Sequence, residues 1–460
     1  MKNNDTIVAI ATPPGEGGIS VIRISGENVL SLASKLFHSS FDILKNTPPS
    51  HKVLFGEIRD PDSKRVIDEV LFTWFKKPNS YTGEDVVEIS GHGGTLVTST
   101  ILENILRQGA RLAKPGEFTR RAFVHGRIDL TQAEAVVDLI EAASDKALNC
   151  AVLQLKGELS RRINNLFDQL LAVKAQLEAA IDFSEEGLTF QSREKTGQQI
   201  EEVKNEVLKL AGSFHQGKII REGVRITLVG KPNTGKSSLL NALMQEDRAI
   251  VTDIPGTTRD TLEERIKVKD IHIVIVDSAG LRSEPEIVEE EGIQRTRNAL
   301  EKSNLVLVVF DTSQPLNKND DLLMNELGDR PRCILLNKSD LEQKWEKEKI
   351  KQFLKDDKPI SISAKTGAGM QDLIEAIYDF AVKGESIGES IFVTRERHRN
   401  HLKQTATALD TAFESLRYGC SEELIAVDVN LALEHMGLVL GKSFEEDLLD
   451  EIFGQFCIGK

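Results

Sequence analysis

The chain has 460 residues, which is enough for about three domains of ordinary size. Hydrophobic residues make up 40% of it and charged residues 28%, so a largely disordered or low-complexity protein is excluded. The formal net charge of −14 argues against indiscriminate nucleic-acid binding, because phosphate contacts depend on Lys and Arg. Any RNA site must therefore be a local basic patch.

The cysteines and the apolar runs indicate the cellular compartment in which the protein is expected. The four cysteines (Cys150, Cys333, Cys420 and Cys457) show no CxxC spacing, which favours neither a zinc site nor a disulfide framework. No secretion signal, no lipidation motif and no apolar run of the ~18 residues that a membrane span needs is evident. We expect a cytoplasmic protein that does not associate with membranes.

Residues 1–118 alternate short β-like runs with turn clusters, a pattern typical of an α+β domain. The predicted strands cover residues 7–12, 19–25, 53–58, 69–75 and 86–90.

Residues 119–217 change to a helical pattern. Apolar residues recur at steps of three and four from Leu148 to Ile181 and predict one long amphipathic helix. At 1.5 Å per residue this helix would be about 50 Å long, so it would pack in a bundle or bridge domains. A second helix is predicted from Ile200 to Phe214, and helical patterns return over residues 385–460.

Residues 218–384 alternate apolar strand-like runs with helical stretches, which predicts a parallel α/β sheet. The runs cover residues 226–229, 271–276, 305–310, 333–336 and 360–362. The simplest layout is a helical-bundle domain in two parts, 119–217 and 385–460, interrupted by this α/β domain.

A phosphate-binding motif follows the first of these runs. Residues 230–237, GKPNTGKS, match GxxxxGK[ST] directly after Val229, which predicts a P-loop rather than a chance glycine-rich turn. Backbone N–H groups would enclose the β-phosphate, Lys236 would reach the β and γ oxygens, and the Ser237 hydroxyl would ligate Mg²⁺. The residues that we expect to contact GTP here are Asn233, Thr234, Gly235, Lys236, Ser237 and Ser238.

Three further motifs follow predicted strands and complete a Ras-like G domain. In residues 337–340, NKSD, the Asp340 carboxylate can accept hydrogen bonds from N1–H and the N2 amine of guanine, a donor pair that adenine lacks. The remaining predicted GTP contacts are Thr252, Asp253, Ile254, Pro255, Gly256, Thr257, Thr258, Asp277, Ser278, Ala279, Gly280, Asn337, Lys338, Ser363, Ala364 and Lys365. Their order is that of translation-factor-like GTPases.

The residues that would drive GTP hydrolysis differ from those of Ras-like GTPases. Leu281 stands after the DxxG motif, where Ras-like GTPases often carry the Gln that orients water. Arg259 and Arg282 lie in switch-like loops, and each is more often a surface charge than an arginine finger. Asn233 together with GTTRD (256–260) resembles GTPases that place K⁺ where an arginine would act, the alternative being a turn Asn.

Several segments outside the G motifs carry a more specific resemblance. They are DTIVAIATPPG (5–15), GED (83–85), GHGG (91–94), PGEFT (115–119), RAF (121–123) and the tail FCIGK (456–460). With them, the chain resembles the MnmE (TrmE) family of tRNA-modification GTPases across essentially its full length.

The resemblance implies a homodimer joined by N-terminal domains that bind a tetrahydrofolate donor, in the 5,10-methylene or 5-formyl form. It also implies a complex, heterotetrameric or larger, with the FAD-dependent protein MnmG (GidA). Together such proteins add an aminomethyl or carboxymethylaminomethyl group to C5 of the wobble uridine of tRNA. Hydrolysis of GTP is then driven by K⁺-dependent dimerisation of G domains.

The resemblance also implies residue roles. Asn233, Thr252, Ile254 and Thr257 would surround K⁺, Ser237 and Thr258 would hold Mg²⁺, and Glu289 would orient the water. Folate would bind to Arg23, Glu88, Arg127 and Lys460, and Cys457 would have a catalytic or tRNA-related role. Without the resemblance, Arg23 and Glu88 would be interpreted as ordinary exposed polar residues of strands. Cys457 would be interpreted as a small apolar residue.

The clearest basic cluster comprises Arg395, Arg397, His398, Arg399, His401 and Lys403. It suggests contact with the tRNA backbone, and the alternative is a solvated helix face. A different function also stays open, that of a regulatory RNA- or ribosome-binding assembly GTPase, although no KH-type GxxG helix pair is found.

Overall fold

A computed structural model describes residues 5–41, 46–182, 192–246, 264–276, 299–345, 347–354, 357–382, 391–444 and 446–460. The chain divides into two compact units. The first contains Met1–Val137, Gln154–Phe190 and Ser421–Lys460, and the second contains Asp138–Leu153 and Gln191–Cys420.

The described strands all belong to two sheets. They are β1 (Ile7–Ile10), β2 (Ser20–Ser25), β3 (Phe37–His38), β4 (Val53–Arg59), β5 (Val66–Phe75), β6 (Val86–Gly91), β7 (Arg111–Leu112), β8 (Val224–Val229), β9 (Glu264–Val268), β10 (Ile271–Ile275), β11 (Leu305–Asp311), β12 (Arg332–Asn337) and β13 (Ile360–Ser361). The predicted strands in both α/β regions are thereby confirmed.

The described helices are α1 (Val29–Ala33), α2 (Thr95–Arg107), α3 (Glu117–Val124), α4 (Leu130–Glu141), α5 (Asp145–Leu155), α6 (Glu158–Asp182), α7 (Arg193–Gly212), α8 (Phe214–Glu222), α9 (Lys236–Glu246), α10 (Lys318–Leu327), α11 (Lys347–Leu354), α12 (Met370–Val382), α13 (Glu396–Arg417), α14 (Glu422–Leu440) and α15 (Glu446–Gly454). None of them combines the length and apolar character that crossing a membrane requires.

The first unit contains a seven-stranded sheet in the order β3-β4-β5-β6-β2-β1-β7. Side chains alternate between its faces, and β5 buries Val70, Phe72 and Trp74 against α1 and α2. Arg23 on β2 and Glu88 on β6 are register partners on the opposite face. One face of the sheet therefore forms the main core, and the other carries the Arg23–Glu88 pair beside a smaller buried apolar cluster that includes Ala9 and Phe118.

The prediction of one long helix from Leu148 to Ile181 is wrong, because the chain breaks between α5 and α6. Gly157 adopts φ +80°, a left-handed conformation that ends a helix, and its N–H donates to Gln154 O at 2.8 Å. Gln132 donates from Nε2 to Leu155 O at 2.9 Å and satisfies a carbonyl at the helix end. Within the first unit, α6 then packs along α14.

The second unit contains a six-stranded sheet in the order β13-β12-β11-β8-β10-β9. All its neighbours are parallel except β9 and β10, as the predicted α/β domain requires. The inner strands are buried on both faces, with α9 and α12 against one face and α10 and α11 against the other. The carboxyl ends of β8, β11 and β12 meet at one edge, which is where ligands bind in such sheets. In the same unit α7 packs along α13.

Candidate functional site

The P-loop leaves the end of β8 in a conformation that glycine permits. Gly235 has φ +97°, and a Cβ added there would lie 2.2 Å from Asn337 Nδ2. Asn233 also adopts a left-handed φ of +64°, which asparagine tolerates better than most residues. The loop therefore turns tightly into α9, whose N-terminal amides face the place where a phosphate would bind.

The Lys236 ammonium lies under this loop. It donates to Gly230 O at 2.8 Å and to Lys231 O at 2.9 Å. Burial lowers the pKa of Lys236 from its ordinary value, because an ammonium loses hydration there. A bound polyphosphate would supply the negative charge that this buried cation lacks.

Asn337, at the end of β12, joins the P-loop to the loop after β13. Its Nδ2 donates to Thr234 O at 2.8 Å, and its Oδ1 accepts from Ala364 N at 3.1 Å. The next residue, Lys338, has φ +65° and donates from Nζ to Asp311 Oδ2 at 2.6 Å. Three motif loops are thus held together by side chains that the sequence analysis assigned to the nucleotide.

Asp340 is oriented by a single hydroxyl. Ser363 Oγ donates to Asp340 Oδ1 at 2.6 Å, and Ser363 itself is fully buried. This hydrogen bond lowers the pKa of Asp340 from its ordinary value, so the carboxylate stays ionised over a wider pH range. A cavity of about 450 Å³ opens beside it. Its lining comprises Gly235, Ser238, Asn241, Ala242, Asn337, Lys338, Asp340, Leu341, Ser363, Ala364 and Lys365.

Three lining residues were missed in the sequence analysis: Asn241, Ala242 and Leu341. Asn241 and Ala242 follow Ser238 by three and four positions on α9, so helical periodicity places them on the same face. Leu341 directly follows the Asp340 motif. Both signals were available in the sequence.

The remaining predicted residues of this site lie outside the described part of the chain. They are Thr252, Asp253, Ile254, Pro255, Gly256, Thr257, Thr258, Asp277, Ser278, Ala279, Gly280 and Glu289.

A second polar cluster lies on the face of the first unit's sheet that is opposite its main core. Arg23 donates from Nε to Glu88 Oε1 at 2.8 Å, and its guanidinium carbon lies 5.1 Å from the Tyr81 ring centre. The Phe118 ring centre is 5.7 Å from the same carbon. Burial, together with repulsion from Arg23, lowers the pKa of Lys460, while attraction to Glu88 opposes that change. Three of the four predicted folate residues are therefore neighbours.

Arg127 lines a cavity of about 470 Å³ whose other lining residues include Phe123, Lys442 and Phe444, but not Arg23, Glu88 or Lys460. Cys457 is exposed, and its carbonyl accepts from Lys460 N at 3.3 Å.

The basic cluster on α13 is not a uniformly solvated helix face. His398 is completely buried, and Arg395 donates to Asp138 Oδ1 at 2.7 Å with only 14% of its side chain exposed. The Arg399 guanidinium carbon lies 4.5 Å from the Phe214 ring centre. Two members of the cluster are thus packed inside the second unit, and the alternative of a solvated face is wrong for His398 and Arg395.

The chain is similar to known families and proteins along its length. Residues 6–127 match the family model described as "GTP-binding protein TrmE N-terminus", and residues 130–457 match "MnmE helical domain". The "tRNA modification GTPase MnmE" of Thermoanaerobacter pseudethanolicus is 44% identical, covering 99% of both chains. That of Acetivibrio thermocellus is 40% identical, covering 100% of both. The solved G domain of the FeoB iron transporter of T. maritima is 25% identical with a TM-score of 0.26, covering 34% of this chain and 98% of its own.

Proposed function

The chain belongs to the MnmE (TrmE) family of tRNA modification GTPases, and we propose that it couples GTP hydrolysis to modification of the wobble uridine. It is a GTP hydrolase that acts in tRNA modification. The product that we propose is an aminomethyl or carboxymethylaminomethyl group at uridine C5. A tetrahydrofolate donor and an FAD-dependent partner, MnmG, would take part, in a heterotetramer or a larger complex.

The observation that supports the GTP site best is the Ser363–Asp340 hydrogen bond at the cavity wall. It leaves Asp340 Oδ2 and the remaining lone pair of Oδ1 to accept from guanine N1–H and N2. Discrimination of this bidentate kind contributes about 1–3 kcal/mol, and adenine would leave the carboxylate without donors. Gly235, Lys236 and Ser237 would hold the phosphates at the N-terminus of α9.

The cations that we propose would bind donor atoms of the P-loop together with residues of the segment 252–258. The Ser237 hydroxyl, together with Thr258, suits Mg²⁺, which binds hard oxygen donors. The Asn233 amide, with Thr252, Ile254 and Thr257, would serve K⁺. When bound, these cations neutralise phosphate charge, and K⁺ would do so in place of an arginine finger. Leu281 cannot orient water, and we propose for that role Glu289, the residue that the family resemblance implies.

The folate proposal rests on the Arg23–Glu88 pair. Their side chains are only 15% and 26% exposed, and the pair is fixed by the aromatic rings of Tyr81 and Phe118. Arg23, Lys460 and Arg127 would meet the folate's glutamate carboxylates, and Glu88 would accept from the pterin amine. The exposed Cys457 thiol is proposed to act near the donor or the tRNA.

A homodimer through the N-terminal sheet is supported by exposed apolar residues on the face that carries Arg23 and Glu88. Phe55 and Leu71 are register partners and are 64% and 47% exposed, and Val53 is 60% exposed. A contiguous exposed apolar patch of this kind marks an interaction site. The location that we propose for the complex is the cytoplasm, where free cysteines and a tRNA substrate both fit.

The direct test is reconstitution. The chain would be mixed with the FAD-dependent partner, unmodified tRNA, GTP, MgCl2, KCl, 5,10-methylenetetrahydrofolate as the carbon donor and either glycine or an ammonium salt as the nitrogen donor. The nucleosides would be analysed by mass spectrometry. We expect a C5-modified wobble uridine, and no product when GTP or the folate is omitted. Unmodified uridine in the complete mixture, with GTP-dependent binding to a ribosomal subunit, would favour an assembly GTPase instead.

A further inference from the structure

The second residue of the P-loop, Lys231, is a junction for the residues around the phosphate site. Its carbonyl accepts from Lys236 Nζ at 2.9 Å and from Thr234 Oγ1 at 2.9 Å. Any displacement of the Lys231 backbone would therefore move the Lys236 ammonium and the turn that follows it.

The Lys231 side chain points away from this junction and contacts α10. Its Nζ lies 2.7 Å from Asp320 Oδ2, and the side chain of Asp320 is only 1% exposed. Asp320 is itself fixed, because the same oxygen accepts from Asn317 N at 3.0 Å in a capping box at the start of α10. The P-loop is thereby attached to the end of a packed helix.

Burial makes this attachment stiff. A carboxylate without water needs a charged partner, and removing one member of such a pair leaves the other buried and uncompensated. Asp320 Oδ1 accepts no hydrogen bond from the residues that the structure describes, so Lys231 is the main compensation for its charge. The Lys231 side chain is therefore held in place more strongly than a surface lysine would be.

We propose that Asp320 is a positioning residue for GTP binding, which fixes the P-loop through Lys231 without touching the nucleotide. This inference rests on the proposed nucleotide site. Asp320 acts on the phosphate-binding end of that site, whereas Asp340 acts on the base. Loss of Asp320 should therefore weaken the binding of GTP and of GDP by the same factor and leave the preference for guanine unchanged.

The test measures dissociation constants for GTP, GDP and ITP by titration calorimetry on the full chain. Asp320→Asn keeps an oxygen for the Asn317 amide but removes the charge, and Lys231→Met removes the other partner. We expect each variant to weaken GTP and GDP about tenfold, as a lost hydrogen bond to a charged group does. The ratio of GTP to ITP affinity should stay at the wild-type value in both variants. Lys231→Arg keeps a positive charge at this position and should keep wild-type affinity.

The double variant Lys231→Met/Asp320→Asn removes the uncompensated charge and should bind no more weakly than either single variant, because the two residues act as one unit. Arg332→Met is the matched control, since Arg332 pairs with Asp357 at 2.8 Å in the same unit and should keep wild-type affinity. Wild-type affinity in Asp320→Asn, additive losses in the double variant, or an equal loss in Arg332→Met would overturn the inference. If wild type bound no GTP, the proposed nucleotide site would be wrong and the inference would fall with it.

Discussion

Ser363 Oγ and Asp340 Oδ1 are joined by a 2.6 Å hydrogen bond at the wall of the guanine cavity. The two residues come from loops after neighbouring parallel strands, so the bond forms only when β12 and β13 are paired. It lowers the pKa of Asp340 and sets the direction of its carboxylate. In the proposed site, base recognition thus depends on a serine that orients the carboxylate which binds the base.

The first prediction concerns this serine. Ser363→Ala should weaken GDP binding about fivefold at pH 7, since one neutral-to-charged hydrogen bond no longer orients the acceptor. Without Ser363 the pKa of Asp340 rises towards its ordinary value, so the loss should grow as the pH falls towards 4.5. Fluorescence titration with a labelled GDP over pH 4.5–7.5 measures both effects. Ser361→Ala, at an exposed position of β13, is the control, and an identical loss in both variants would contradict the account.

The second prediction concerns Gly235. Gly235→Ala places a Cβ 2.2 Å from Asn337 Nδ2 in a backbone with φ +97°, so the P-loop must shift. Left-handed strain of this kind costs about 1–3 kcal/mol before the clash is counted, and GTP binding should be lost. Gly212→Ala is the matched control, because nothing lies within 4 Å of a Cβ there. Normal GTP binding by Gly235→Ala in titration calorimetry is the result that the geometry forbids.

The third prediction concerns monovalent cations. Wild-type GTP hydrolysis should be faster in KCl than in NaCl at equal ionic strength, and replacing Asn233 should remove that difference. Asn233→Ala removes the amide but also strains a backbone at φ +64°, whereas Asn233→Gly removes only the amide. Both variants should still bind GDP. Equal wild-type rates in the two salts, measured by phosphate release, would rule out the K⁺ site.

The fourth prediction concerns the proposed folate cluster. Glu88→Gln should weaken binding of 5-formyltetrahydrofolate about tenfold, because it removes the negative charge that pairs with Arg23 and that strengthens the hydrogen bond from the pterin amine. Glu57→Gln is a matched control, since Glu57 pairs with Arg59 at 2.8 Å on the same sheet. Calorimetric titration of folate into each variant distinguishes them. Unchanged affinity in Glu88→Gln would remove Glu88 from the site.

The fifth prediction concerns His92, whose Nδ1 lies 2.6 Å from Asp68 Oδ1. The hydrogen bond to Asp68 raises the pKa of His92, so the protonated imidazole stabilises the folded state. This contribution is complete below the unfolded pKa of about 6.5 and is lost as the pH rises through the raised folded value. Thermal unfolding of wild type and His92→Gln should therefore differ most near pH 5.5 and converge at alkaline pH. A difference that does not change with pH would show that the ion pair contributes nothing.

The sequence predicted the sheets well because each buried strand is a short apolar run, and the G motifs follow the strands directly. It failed at Gly157, where apolar periodicity continued through a glycine whose left-handed conformation ends the helix. It also did not show distant contacts, such as those of Gln132 with Leu155 O and of Lys231 with Asp320. Tyr81 and Phe118 likewise reach Arg23 only through the tertiary fold. Periodicity and motif spacing contain no information about such pairs.

The most direct measurement is mass spectrometry of tRNA nucleosides from cells that lack the protein and carry wild type, Gly235→Ala or Gly212→Ala in its place. The account predicts that the C5 modification of the wobble uridine disappears in the deletion strain. It returns with wild type and Gly212→Ala, and it stays absent with Gly235→Ala. An unchanged nucleoside profile in the deletion strain would contradict a role in wobble-uridine modification.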